Sequence, residues 1–507
     1  MTELMDTMEG TALAAEEEIA IAEPMSLRTR ALRGSFWTIA NYGASNLFRL
    51  GSNLVLTRLL FPQVFGLMTL MNVFFQGIHM FSDVGIAPSI IQSPLGEDPA
   101  FLNTAWTIQV FRGFMLWFAS CVLAYPFAKL YSQPGFELMI PVAGFAAVID
   151  GFTSTKYYSV IRHLNLGMQT ILDLGAQVLC IIIMIIWAHY SATVWALIAG
   201  SLISSAIKCA FTHFAFSGVR NRLFWDRECS RALFKFGRWI FASTILTFLA
   251  GQMDRMVLGK AVPMAMLGVY SVAQNMAGMP TQAILRIAGP ITFSLYSRLN
   301  DTRDRLTEVF NRVRVPLLTC GGWAVSCVIV VGPLIIHTLY DKRYVDAGWI
   351  LQFLAVGAWF EILETTNGSA LMGMGMPRWL AAGHLGKLIG MAIFVPIGFH
   401  FHGFAGALAG LVASEACRYA VSVTIVVYKG LGVLWRDLFL CLCVAVTSSA
   451  ALFVGSRLQA AHPHSLMPEI AAFAVANLLW LPMLWQSYLM MRPRKASDTP
   501  SAVALAA

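Results

Sequence analysis

A chain of 507 residues that is 57% hydrophobic and only 12% charged, with a mean hydropathy of +0.67, carries about half the charge of a soluble protein of its size. That balance excludes a soluble globular enzyme and points to an α-helical membrane protein. The net charge of +8 does not imply nucleic acid, because in a membrane protein an excess of Lys and Arg records orientation.

The first 27 residues contain seven acids and no Lys or Arg. A secretory signal needs a basic n-region, so this segment reads as an acidic tail. Apolar stretches then recur at 34–60, 64–91, 101–126, 136–160, 168–189, 191–216, 232–259, 264–292, 311–339, 346–374, 379–399, 403–428, 436–457 and 467–491. Each is long enough to cross a bilayer as a helix, and none has the strict alternation of a membrane β-strand. The fold class is therefore all-α integral membrane, with about 14 transmembrane helices. An even number of spans places both termini on one side. Counting Lys and Arg gives roughly 21 on the side of the N-terminus against 6 on the other, so both termini are expected in the cytoplasm. The segment Gln92–Pro99 runs against this rule, with two acids and no base.

An internal repeat appears at an offset of 202. "SFWTIA" (35–40) lies over "GRWIFA" (237–242), and "VLTRLLFPQVFGLM" (55–68) lies over "VLGKAVPMAMLGVY" (257–270). The copies begin at the first and seventh spans, so the repeats are parallel, as in transporters whose two halves rock about a shared site. The expected organisation is a tail at 1–27, a first lobe at 28–216, a linker at 217–231 and a second lobe at 232–430. Two further helices at 431–491 and a tail at 492–507 complete it.

Charge inside the membrane marks candidate sites. Arg49 falls near the middle of the first span. Tyr42, Ser45, Arg49 and Ser52 share one helix face, with Asn46 and Asn53 beside it. The same face in the second copy reads Thr244, Thr247, Gly251 and Asp254, with Arg255 over Asn53. Two such faces would line a hydrated cleft. Arg112 in the third span could join Arg49. Glu361 and Glu364 share a face of the tenth span, Lys387 lies in the eleventh, and Glu415 and Arg418 are spaced to neutralise each other. The nine Cys lack metal-type spacing, and neither "HFH" (400–402) nor "HPH" (462–464) has a carboxylate or Cys companion at ligand spacing, so no metal site is expected. No nucleophile elbow or phosphate-binding Gly loop is present, and no loop is long enough for a catalytic domain.

The chain resembles the Wzx-type oligosaccharide flippases, the polysaccharide-transport branch of the multidrug/oligosaccharidyl-lipid/polysaccharide exporter superfamily. The residues that carry this are "GSFWTIA", "LTRLLFPQVFGLMTL", "FSDVGIAPSIIQ", "MDRMVLGKAVPMAMLGVYSVAQ", "PITFSLYSRLNDTRDRL" and "LYDKRYVDAGWILQFLA", across most of 30–430. The resemblance implies a V-shaped pair of six-helix bundles in the bacterial inner membrane. It implies a cargo of undecaprenyl-pyrophosphate-linked oligosaccharide moved from the cytoplasmic to the periplasmic leaflet. It also implies an ion gradient (H+ or Na+), no cofactor, membrane lipids around the chain, and polymerase and chain-length or export proteins as partners. Arg suits a diphosphate because its guanidinium binds phosphate oxygens in pairs. Arg49 is therefore the expected head-group ligand, with Arg112 and Arg255 as lesser ones. Asp254, Glu361 and Glu364 are the candidates for ion coupling. The alternatives are a lipid II-type flippase, a drug/cation antiporter, or a membrane polysaccharide polymerase or ligase.

Overall fold

A computed structural model of the chain describes residues 27–82, 85–163, 166–216, 218–286, 303–461 and 467–491. The two expected tails, residues 287–302 and the "HPH" segment lie outside the described residues. Among those described, all regular structure is helical. The helices of the first half are α1 (Leu27–Leu59), α2 (Pro62–Phe81), α3 (Ile86–Gln92), α4 (Pro99–Tyr131), α5 (Phe136–Gly151), α6 (Lys156–Arg162), α7 (Leu166–Tyr190) and α8 (Val194–Phe214). Those that follow are α9 (Arg227–Ala261), α10 (Met264–Ala277), α11 (Arg303–Leu339), α12 (Ala347–Gly373), α13 (Pro377–Tyr428), α14 (Leu434–Ala461) and α15 (Met467–Met491).

Among the described residues, nine helices are long and apolar enough to cross a membrane, or ten if α5 and α6 form one broken span. Helices α1 and α9 are long enough, at 33 and 35 residues, but their polar positions keep them out of that set. Helix α13 runs through 52 residues with a break at His402 and Gly403. It thus covers the two expected segments 379–399 and 403–428, and glycine allows the positive φ of 58° at the break.

Two expected spans are broken, and side chains from α4 explain both. The segment 64–91 is not one helix: α2 stops at Phe81, and α3 begins at Ile86. Arg112 donates to the His79 carbonyl (2.9 Å), a group that a continuing helix would have used, and to Ser82 Oγ (3.0 Å). The segment 136–160 bends by 63° between α5 and α6. There the Gln109 amide donates to the carbonyls of Asp150 (3.0 Å), Gly151 (3.2 Å) and Thr153 (3.1 Å). One buried side chain therefore bonds three carbonyls that cluster at the break.

The 202-residue offset has a physical counterpart where α2 crosses α10. A Cβ at Gly66 would strike the Met264 carbonyl and the Gly268 amide, and a Cβ at Gly268 would strike the Pro62 carbonyl and the Gly66 amide. Pro62 and Met264, like Gly66 and Gly268, are 202 apart. The two backbones touch because neither position carries a side chain, the device that small residues provide in membrane helix packing. Leu56 and Leu258, also 202 apart, are both buried in the large core beside this crossing.

Helices α14 and α15 pack on α11. The contact is fixed by a buried ion pair: both Arg314 Nη atoms donate to the Asp437 carboxylate, which also accepts from the Tyr419 hydroxyl (2.7 Å). Arg314 Nε donates to Thr366 Oγ1 (3.0 Å). Arg314 is 2% exposed and Asp437 0%, so the pair holds only because nearly every polar atom in it is bonded.

Candidate functional site

The polar face of α1 is largely satisfied by its own helix. Ser45 Oγ donates to Asn41 Oδ1 (3.3 Å), Asn46 Nδ2 to the Tyr42 carbonyl (2.8 Å), and Ser52 Oγ to the Arg49 carbonyl (3.0 Å). Helix α1 leans on α7, where Gln177 donates to the Ser45 carbonyl (3.0 Å). Asn53 is half-buried, and Arg49 is exposed. The Tyr42 ring lies 5.2 Å from the Arg286 guanidinium, in the 279–286 helix that continues α10, so one residue of the stripe reaches across to the second half.

The equivalent face of α9 is bonded to other helices. The Tyr270 hydroxyl donates to Asp254 Oδ2 (2.6 Å). Arg255 donates to Gln252 Oε1, and Gln252 Nε2 donates to Gln76 Oε1 (2.7 Å) on α2. The side chain of Thr244 lies outside the described residues. Thr247 and Asp254 line a cavity of about 260 Å³ together with Tyr270 and Gln274 from α10, Glu361 from α12, and His384, Lys387, Glu415 and Arg418 from α13. Around it Arg418 pairs with Glu364 (2.7 Å) and approaches Glu415 (3.8 Å), while Lys387 pairs with Glu415. These are buried ions, with side-chain exposures of 1% to 16%. Asp254, Glu361, Glu364 and Glu415 supply four carboxyl groups against two cations, Lys387 and Arg418.

The structure therefore brings Thr247, Asp254, Glu361 and Glu364 to one place and leaves α1 outside it. Arg49 projects from α1, Arg112 caps α2, and Arg255 joins the glutamine bridge to α2. The expected Glu415–Arg418 contact is present, but both residues also serve a wider network. Nothing in the sequence marked Tyr270, Gln274, His384 or the Gln76–Gln252 bridge. A carboxyl and a phenol 16 positions apart carry no periodic signal, and which helices adjoin is not written in any one of them.

A latch joins the two halves beside the Gly66–Gly268 crossing. Arg343 donates to the Arg58 carbonyl (3.1 Å), Arg58 to the Leu339 carbonyl (3.4 Å), and the Tyr344 hydroxyl to the Leu60 carbonyl (3.3 Å). Asp341 accepts from Arg343 Nε (2.8 Å), and this bond holds the Asp341 carboxyl below the usual carboxylate range. At the opposite ends of the helices, the acids that break the charge rule have structural partners. Glu97 meets Arg162 (3.5 Å) and His163 (3.1 Å), and Asp98 caps α4 through the Phe101 amide (3.3 Å). Arg162 also donates to the Ile90, Ile91 and Ser93 carbonyls at the end of α3.

The family model for a polysaccharide biosynthesis protein matches residues 55–349, a stretch that contains the repeat-related crossing, the latch and the α9–α10 wall of the charged cavity. The chain belongs to this polysaccharide biosynthesis protein family. Among the family's relatives, the lipopolysaccharide biosynthesis protein WzxC of Escherichia coli (strain K12) is 22% identical, over 82% of this chain and 85% of its own. Two solved structures share the fold of this family member. The lipid II flippase MurJ in an inward closed conformation has a TM-score of 0.65 at 12% identity, covering 90% of this chain and 99% of that one. An inward-facing multidrug resistance MATE family transporter of the MOP superfamily has a TM-score of 0.59 at 15% identity, covering 78% and 95%. The resemblance to Wzx-type exporters thus stands on family and on fold.

Proposed function

We propose that this protein carries a polyprenyl-pyrophosphate-linked oligosaccharide from the cytoplasmic to the periplasmic leaflet of the bacterial inner membrane, by alternating access. The observation that carries the reading is a contact between the two halves at matched positions: residues 202 apart meet at Gly66 and Gly268, and the Arg58–Arg343 latch lies beside them. On this reading the latch end is periplasmic, both termini are cytoplasmic, and residues 28–216 and 232–430 rock about the crossing. The pair α14–α15 travels with the second body through Arg314–Asp437.

Arg49 is the proposed ligand for the diphosphate. Its exposure leaves the guanidinium open to an anionic head group, with Tyr42, Ser45, Asn46, Ser52 and Asn53 beside it for sugar hydroxyls. Arg112, Arg255, Thr244 and Thr247 are lesser contacts. Asp254, Glu361 and Glu364 are the proposed coupling groups. A buried cluster with more carboxyl groups than cations reaches neutrality by taking up a proton or a metal cation, which supports exchange of an ion at the 260 Å³ cavity. The test is polysaccharide export in cells that carry Arg49→Ala or Glu361→Gln at normal membrane abundance. Export at the unmodified level in Arg49→Ala sinks the ligand assignment. Arg49→Lys should restore only part of the activity, because an ammonium cannot bind two phosphate oxygens in a fork.

A further inference from the structure

A second cavity lies elsewhere. It measures about 760 Å³ and opens between α11, α14 and α15, at the end of the bundle that carries the basic segments. We propose that it binds the phosphate-bearing head group of a membrane phospholipid, as a site separate from the transport cleft.

Arg314 and Asp437 join α11 to α14. Their buried pair fixes the rotation of α11 against α14. Arg312 and Arg436, two residues and one residue away in sequence, then line the cavity from its two sides. Arg312 Nε donates to the Met490 carbonyl (3.3 Å), which ties it to the end of α15. Arg436 is exposed and makes no ion pair among the described residues. Asp437 cannot neutralise it, because that carboxylate is already shared by Arg314 and Tyr419. The one acid on the wall is Glu308, a turn further out than Arg312.

The remaining wall is graded. Thr319 and Ser487 are buried polar groups, and Val315, Phe439, Leu440 and Met483 make an apolar side. From Glu308 to Thr319 the wall runs about 16 Å along α11, the length of a head group and the first part of an acyl chain. A volume in the ordinary range for ligand pockets, two arginines beside the ends of α14 and α15 and an apolar continuation inward together describe a lipid phosphate. Basic pockets between helix ends hold such head groups in other membrane proteins.

The test uses the full-length protein in detergent, with phosphatidylglycerol or phosphatidylethanolamine added, read by native mass spectrometry. One phospholipid should remain bound per chain. The double variant Arg312→Gln/Arg436→Gln should retain at least fivefold less of either lipid. Glu308→Gln removes a like charge from beside the phosphate and should raise retention of phosphatidylglycerol about twofold, a gain that no folding defect produces. A preference for phosphatidylglycerol would identify an anionic head group, and equal retention a site that reads the phosphate alone. Unchanged retention in the double variant, or no gain in Glu308→Gln, overturns the proposal.

Discussion

The leading helices of the two repeats, α1 and α9, treat charge in opposite ways. In the first half, Arg49 stands exposed on a helix whose polar side chains bond largely within that helix. In the second half, the equivalent helix binds Asp254 to Tyr270 and Arg255 to a glutamine bridge, and the helices around it hold Glu364, Arg418, Glu415 and Lys387 as paired ions. A repeated sequence need not repeat its electrostatics: position 49 is Arg and position 251 is Gly. Helix α1 offers a charge outward, and α9 with its neighbours balances charge within.

The sharpest way to break this contrast is to unpair an ion in the second half. Arg418→Ala leaves the Glu364 carboxylate buried at 1% exposure and should cost about 3–5 kcal/mol, read as a large fall in thermal stability in detergent. A fall no greater than that of a surface variant would mean the network carries no structural weight. Next in size is the crossing shared by both halves. Gly66→Val or Gly268→Val forces a side chain into the opposing backbone and should destabilise by about 1–3 kcal/mol. The double variant should depart from additivity, because both changes strike one contact; strict additivity would separate the two positions.

Arg49→Ala should change stability by less than about 0.5 kcal/mol while export falls about tenfold, equivalent to about 1.4 kcal/mol. A stability loss as large as that of Arg418→Ala would make Arg49 a structural ion and erase the contrast. The smallest effect is expected at the latch. The Asp341 carboxyl is held below its usual value, so the stabilisation is complete above about pH 4 and is lost only as pH falls through the lowered value. Closure should therefore be flat between about pH 5 and 8. Asp341→Asn should cost less than about 1 kcal/mol, since both partners are one-third exposed. Thermal stability in detergent of the unmodified protein and of Asp341→Asn, measured across that range, checks the flatness.

Much of this was legible in the sequence, for a physical reason. A helix that crosses lipid must be apolar along its length, so hydropathy located a helix under each expected segment. The repeat gave the register that the Gly66–Gly268 crossing obeys. The breaks after Phe81 and Gly151 were not legible, because Arg112 and Gln109, which satisfy the freed backbone groups, sit on another helix. The site was half legible. A charge in an apolar run shows itself as Glu361, Lys387 or Arg418 did, but its partner depends on how helices rotate against each other. Thus Asp254 and Glu364 were visible as candidates, while Tyr270 as the companion of one and Arg418 as the companion of the other were not.

The crossing at Gly66 and Gly268 has a consequence for how this chain can vary. It is an isologous contact inside a single polypeptide: the same four positions, Pro62, Gly66, Met264 and Gly268, face one another as two subunits of a symmetric dimer would. In a true dimer one mutation alters both sides at once. Here each copy mutates alone, so any enlargement on one side meets an unchanged backbone on the other. The two copies are free to diverge over most of their length, as Arg49 and Gly251 have done, but at this point each is the template the other must keep fitting.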